Sequence, residues 1–133
     1  MVEVGIFALI NGNAPLMALL PGGLWPTSSD RGQQDFPYMT YTVVTASPSE
    51  YTLDGPEFEQ KLFQFDVYEK DGTNQTRMIL KTLHRMLDKF TGVLSDGTRV
   101  LFAERGNVIN NFESDGDSYR SIAEYQIQFV EQD

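Results

Sequence analysis

Between residues 61 and 69, hydrophobic and polar residues alternate, with Phe63, Phe65 and Val67 on one side of the alternation. A two-residue period is typical of a strand with one buried face. After a turn at 70–72, the apolar residues recur every three or four positions, which is the period of an amphipathic helix. They are Ile79, Leu80, Leu83, Met86, Leu87 and Phe90. We therefore expect a strand followed by a helix whose apolar stripe packs on the buried face of that strand.

The first 26 residues predict two helical segments and a short extended piece. Residues 2–10 place Val2, Ile6, Leu9 and Ile10 on one side of a helix, although a glycine at position 5 weakens it by about 1 kcal/mol relative to alanine. Asn13 is a suitable N-cap for a second, short helical turn. Residues 24–26 are expected to be extended, and the polar run 27–35 is expected to form an exposed loop.

The other strands are predicted from β-branched and aromatic residues. A strand is expected at 38–45, where either face suits burial, and 49–57 is expected to form the tip of a long hairpin leading to the strand at 61–69. Asp96-Gly97 suits a two-residue hairpin turn. The chain closes with an alternating strand at 119–130, whereas the Asn-rich segment 104–118 carries no clear period.

These elements predict the fold class. The order is helix, strand, strand, helix, hairpin, strand, so we expect an α+β protein with a mostly antiparallel sheet and helices packed on one face. A chain of 133 residues fits a single domain, residues 1–133, that buries roughly two-thirds of its unfolded surface.

The composition of the chain disfavours several classes of function. The net charge of −9 makes nonspecific DNA or RNA binding a poor expectation, because that binding requires a basic surface. The chain has no cysteine, which excludes disulfides and thiolate metal sites. The first twenty residues lack a basic start and interrupt their apolar run with glycine, asparagine and proline, so neither a signal peptide nor a membrane span is expected.

Candidate chemistry is sparse. His84 is the only histidine and its neighbours on the predicted helix offer no catalytic partner, so we interpret it as a structural or surface residue. The acidic pair Asp115 and Asp117 lacks the glutamate that completes a calcium-binding loop, and a plain turn is the preferred interpretation. We predict no catalytic, cofactor-binding or metal-binding residues, and the balance favours an interaction or assembly protein over an enzyme.

A series of short motifs resembles a known family over nearly the whole chain. The motifs are PLMALL at 15–20, GGLWP at 22–26, FPYMTY at 36–41, YTLDGP at 51–56, FQFDVY at 63–68 and the closing strand at 119–129. In order and spacing they resemble the tail completion family of long-tailed bacteriophages, also described as tail terminator or tail-to-head joining proteins. The segment 104–118 departs from the pattern, because relatives often have a short link there.

The resemblance implies a structural virion protein without catalytic residues or cofactors. It implies a homo-oligomer, a hexameric ring at the head-proximal end of the tail that terminates the tail tube and joins it to the head connector or stopper protein. The ring is expected in the neck of the virion after assembly in the host cytoplasm, with no membrane contact. DNA is expected to pass through it without specific binding, and the net charge predicts a neutral to acidic inner wall.

The residues expected to contact a neighbouring subunit or the tail tube are mainly apolar. Tyr51, Leu53 and Phe58 would present apolar groups on the hairpin tip, although they could equally fold back on their own hairpin. The full set of predicted interface residues is Tyr51, Leu53, Asp54, Phe58, Trp25 and Phe36.

Two other functions remain as alternatives. One is an acidic protein that mimics DNA and inhibits a nucleic-acid enzyme, which would need carboxylates arrayed along one face. The other is a hydrolase, which would need Glu57, Glu59 and Asp66 to converge in a pocket. The alternation predicts instead that Asp66 faces away from the core.

Overall fold

A computed structural model describes residues 2–26, 36–48, 59–70, 74–113 and 118–130. Three helices and six strands make up this part of the chain. In order they are α1 (Val2–Asn11), α2 (Ala14–Ala18), β1 (Leu24–Pro26), β2 (Tyr38–Pro48), β3 (Glu59–Glu69), α3 (Asn74–Leu87), β4 (Gly92–Val93), β5 (Arg99–Glu113) and β6 (Ser118–Val130).

The six strands form one sheet in the order β1-β2-β3-β6-β5-β4. Strand β1 runs parallel to β2, and every other neighbouring pair is antiparallel. The predicted α+β class is therefore confirmed, with a sheet that is mixed because of the short strand β1. Strands β3 and β6 lie at the centre and pair along the whole length of β3, from Glu59 opposite Phe129 to Glu69 opposite Tyr119.

The core lies between the helices and one face of this sheet. Phe63, Phe65 and Val67 of β3 are fully buried, as the alternation predicts. The stripe of α3 covers them, and its innermost members, including Ile79 and Leu83, are also fully buried. Burying one such side chain contributes about 1.5–3 kcal/mol. The predicted strand followed by a packed helix is confirmed.

Strand β2 resolves the choice of face that the sequence leaves open. Met39 is fully buried, while Tyr41 and Val43 pack against the core, so these three odd-numbered residues point inward. The ring of Tyr41 meets the ring of Phe7 in α1 at a centroid distance of 5.9 Å. Val44, on the other face, is exposed. All three helices therefore pack on the same side of the sheet.

The glycine that weakens α1 has a packing reason. A Cβ atom built at Gly5 would lie 2.5 Å from Oδ1 of Asp96 and 2.8 Å from Cβ of Leu94, so a side chain has no room there. Helix α1 consequently lies directly against the β4–β5 turn. Its end and the start of α2 follow the prediction, because Oδ1 of Asn13 accepts a hydrogen bond from Leu16 N at 2.9 Å.

The β4–β5 hairpin is present, but the predicted two-residue turn is wrong. Leu94 N donates to Thr98 O at 2.7 Å, which leaves three residues in the loop. Gly97 has a φ of 94° and its N–H donates to Leu94 O at 2.9 Å, the arrangement of a type I turn followed by a left-handed residue. The side chain of Asp96 favours this loop by accepting from Thr98 N and Thr98 Oγ1.

The segment without a clear period forms the second half of a long strand. Strand β5 continues to Glu113 and pairs antiparallel with β6. Its register shifts between Val100 and Phe102 and again between Arg105 and Val108. Each irregularity changes which residues face the core, so a strict alternation cannot persist along the strand.

Candidate functional site

Four of the predicted interface residues lie outside the described residues: Tyr51, Leu53, Asp54 and Phe58. The strands on either side of them are described, and Pro48 at the end of β2 pairs with Glu59 at the start of β3. The segment 49–58 therefore connects two antiparallel strands, as a hairpin connection does.

Trp25 lies in β1 beside an apolar groove of about 580 Å³. The groove runs between β1 and the first two helices. Its main apolar lining consists of Val4, Phe7, Met17, Leu24, Trp25 and Tyr41. The indole is held in place because Nε1 donates to Gly22 O at 2.6 Å. Val4 is 56% exposed at the rim, so the groove is an accessible apolar surface.

Phe36 precedes β2 and belongs to a different cluster. Its ring lies 5.3 Å from the ring of Tyr38, and Nζ of Lys70 lies 5.4 Å from the centroid of the Phe36 ring. Tyr38 in turn stacks on Tyr68 at 4.8 Å. These residues alternate with the buried ones and so line the sheet face opposite the helices. Phe36 is not among the residues that line the groove beside Trp25.

Asp66 faces away from the core, as expected, yet only 3% of it is exposed. Its Oδ2 accepts a hydrogen bond from Nε of Arg120 at 2.9 Å, and its Oδ1 accepts from Nε2 of Gln64 at the same distance. Glu59 is seven residues away along β3, roughly 23 Å at the rise of a strand. These two carboxylates therefore do not converge, and Glu57 lies outside the described residues.

Two further carboxylates form contacts within the subunit. Oε2 of Glu3 accepts from Nζ of Lys61 at 2.9 Å, a partly buried ion pair that links α1 to β3. Oε1 of Glu69 accepts from the hydroxyl of Thr76 at 2.9 Å in a buried contact beneath α3. With Asp66, these carboxylates connect secondary-structure elements and do not form the exposed array that DNA mimicry requires.

His84 lies on α3 between a hydrogen-bonding hydroxyl and a carboxylate. Nδ1 is 3.3 Å from the hydroxyl of Tyr125, and Nε2 is 3.6 Å from Oδ2 of Asp88. Burial raises the pKa of Tyr125 to about 12, an effect that Asp88 strengthens and Arg105 opposes. These contacts fit a structural histidine at the edge of the core.

The described residues contain no group of three or more side chains suited to holding a metal ion. Within the same ranges, no helix combines the length and apolar character needed to cross a membrane.

The outer edge of β5 is open beyond Arg105. Before that point it is covered, because β4 pairs with Arg99 and Val100, Lys89 N donates to Ala103 O at 2.6 Å and Arg105 N donates to Oδ1 of Asp88 at 3.2 Å. No other described strand adjoins this edge, and Val108 and Ile109 are exposed along the open stretch. Unpaired strand edges are ready to pair with another chain. Sequence reasoning missed this surface because it had assigned no structure to 104–118.

The fold and these surfaces define a single α+β domain with an apolar groove at the β1 end of the sheet and an open strand edge at the other. No family model matches the chain, and no curated protein matches it.

Solved structures do resemble it. A chain of the virion of a native gene transfer agent particle has a TM-score of 0.74 at 13% sequence identity, covering 96% of this chain and 93% of that one. A second structure, described without a functional name, has a TM-score of 0.66 at 12% identity, covering 99% and 95%. At such identities the likeness concerns the fold.

Proposed function

We propose that this protein is a structural subunit of a phage-like virion, without enzymatic activity. The observation that supports the proposal best is the fold likeness to a chain of a gene transfer agent virion, because it extends over nearly the full length of both chains. The finer role that we propose is that of a tail terminator. Six copies form a ring at the head-proximal end of the tail, where the ring closes the tail tube and joins it to the head connector.

The two exposed surfaces suit a ring. Head-to-tail contacts that close a ring require two different, complementary patches on each subunit. The groove beside Trp25 adjoins β1, and the open stretch of β5 lies near the opposite end of the strand order. Patches at opposite ends of a sheet allow each copy to contact one neighbour on each side. Tyr51, Leu53 and Phe58 remain proposed contacts of the segment 49–58 with a neighbour or the tail tube.

The charge suits a channel for DNA. Six copies would carry a formal charge of −54, six times −9, although salt screens exposed charges beyond about 10 Å. A neutral to acidic inner wall would let DNA slide past without binding its phosphates. We therefore propose that few lysine or arginine side chains face the lumen.

Electron microscopy of the protein mixed with tail tubes of its own virus tests this role. We expect ring-shaped particles alone and a ring at one end of each tube in the mixture. Tubes whose two ends both stay bare, at protein concentrations where rings are abundant, would contradict the terminator role while leaving ring formation intact. A ring whose inner wall is lined by lysine and arginine would contradict the proposed DNA passage.

A further inference from the structure

A cavity of about 470 Å³ lies between α3 and the β5–β6 hairpin. It lies on the helical side of the sheet, away from the groove beside Trp25. Basic side chains from two elements meet there: Arg77, Lys81 and His84 from α3, and Arg105 from β5. The α3 residues are four and three positions apart, so they lie on one side of the helix.

The pairing of β5 with β6 determines which side chains line the strand side of the cavity. Arg105 pairs with Tyr125 across β5 and β6, so the two side chains leave the sheet on the same face. The hydroxyl of Tyr125 contacts His84 at 3.3 Å, which ties the strand wall to the helix wall. Ala123 and Leu80 supply the apolar part of the lining.

Arg77, Lys81 and Arg105 form no ion pair with another described residue. The ion pairs in the described part of the chain join Glu3 to Lys61, Asp66 to Arg120 and Asp88 to His84. Asp88 also accepts a hydrogen bond from the backbone N–H of Arg105 at 3.2 Å.

The chain has ten lysine and arginine residues against nineteen aspartate and glutamate residues. Three cations that form no ion pair with a described residue are therefore gathered around one cavity of a strongly acidic chain. Such a concentration favours binding an anion.

We propose that this cavity binds the phosphate group of a small phosphorylated molecule. A phosphate group carries close to two negative charges and three acceptor oxygens. It can therefore bind several converging cations at once, whereas a carboxylate has one charge and two oxygens. Arginine presents paired N–H donors with the geometry of phosphate oxygens. The volume falls within the range of small-molecule sites and leaves room for an organic group against Leu80 and Ala123.

Duplex DNA fits this site less well. Its backbone requires cations spread over an extended surface, whereas these are gathered around one recess in a chain of net charge −9. The site is separate from the groove beside Trp25 and shares only Val108 with the open stretch of β5. The inference does not depend on the proposed role in the virion.

Isothermal titration of the intact protein with sodium phosphate and with sodium pyrophosphate, at constant ionic strength set by chloride, tests the proposal. We expect saturable binding with one site per subunit. Lys81→Gln and Arg105→Gln should each weaken it about tenfold or more, because each removes a charge-assisted hydrogen bond. Arg85→Gln is the matched control, since Arg85 is exposed on the same helix but does not line the cavity.

Lys81 and Arg105 are exposed, so their replacement should leave the melting temperature in chloride unchanged. Backbone amide shifts in NMR spectra should identify the site by perturbing residues 76–84 and 105–108. The proposal is wrong if neither anion binds at millimolar concentration, or if Arg85→Gln weakens binding as much as Lys81→Gln does. Binding of a short DNA duplex at the same residues, with no response to pyrophosphate, would also overturn it.

Discussion

The centre of the sheet and its edge strand β5 differ in strand pairing and in the burial of their side chains. At the centre, β3 is paired on both sides, and its residues Phe63, Phe65 and Val67 are fully buried. At the edge, β5 buries Val100 and Ala103 but leaves Phe102 and Ile109 37% and 46% exposed. The centre therefore places more apolar surface in the core than the edge strand does.

Replacing a central aromatic side chain gives the largest expected effect. Phe65→Ala should lower the free energy of unfolding by about 3–5 kcal/mol, because the cavity left in a close-packed core adds to the lost transfer energy. Phe102→Ala, in the edge strand β5, should cost less than about 1 kcal/mol because Phe102 is 37% exposed. Urea unfolding of the two variants measures the difference. Similar losses for both would show that the edge is as important for folding as the centre.

Alkaline pH should weaken the centre through Tyr125. Its folded pKa of about 12 lies above the unfolded value of about 10, so the stabilisation is complete below pH 10 and is lost as pH rises toward 12. The loss should reach roughly 2–3 kcal/mol. Melting curves between pH 9 and 11.5 should show a steeper decline for the unchanged protein than for Tyr125→Phe. Parallel declines would contradict the burial of this hydroxyl.

The ion pair on the helix-free face should have an intermediate effect. Arg120→Met leaves Asp66 nearly buried without its main partner, which should cost about 1–3 kcal/mol. Adding Asp66→Asn should restore part of that loss, because the remaining amide requires less compensation than a carboxylate. A double variant less stable than Arg120→Met alone would mean that Asp66 is held mainly by Gln64.

The smallest effect on folding is expected at the groove rim, where assembly should respond instead. Val4→Asp places a charge in the apolar groove and should prevent ring formation while changing the free energy of unfolding by less than about 0.5 kcal/mol. Met78→Asp is the control, since Met78 is 58% exposed against 56% for Val4 but does not line the groove. Sedimentation velocity measures assembly. If the two variants assembled equally well, the groove would not be part of the subunit interface.

The same contrast explains what the sequence could predict. Around β3, α3 and β6 each element has one buried face, so burial imposes a period that can be read directly from residues such as Phe63 and Leu83. The inward face of β2 was ambiguous because Thr40 and Thr42 alternate with Met39 and Tyr41 without a clear difference in polarity. The α+β class could be predicted from β3, α3 and β6, whose periods are clear.

The edge could not be predicted for physical reasons. Two register shifts interrupt the period of β5. The loop at Asp96-Gly97 depends on hydrogen bonds to Thr98 that composition does not specify. The groove was anticipated only through Trp25. The cation-lined cavity was missed because Arg105 joins Arg77 and Lys81 only through the pairing of β5 with β6.

The mass of the purified protein in solution tests the proposed assembly most directly. Native mass spectrometry should find a species of six times the 15.0 kDa subunit mass, which the Val4→Asp variant should lose in favour of single subunits. A protein that remains a single subunit at every concentration, with or without tail tubes, would contradict the account.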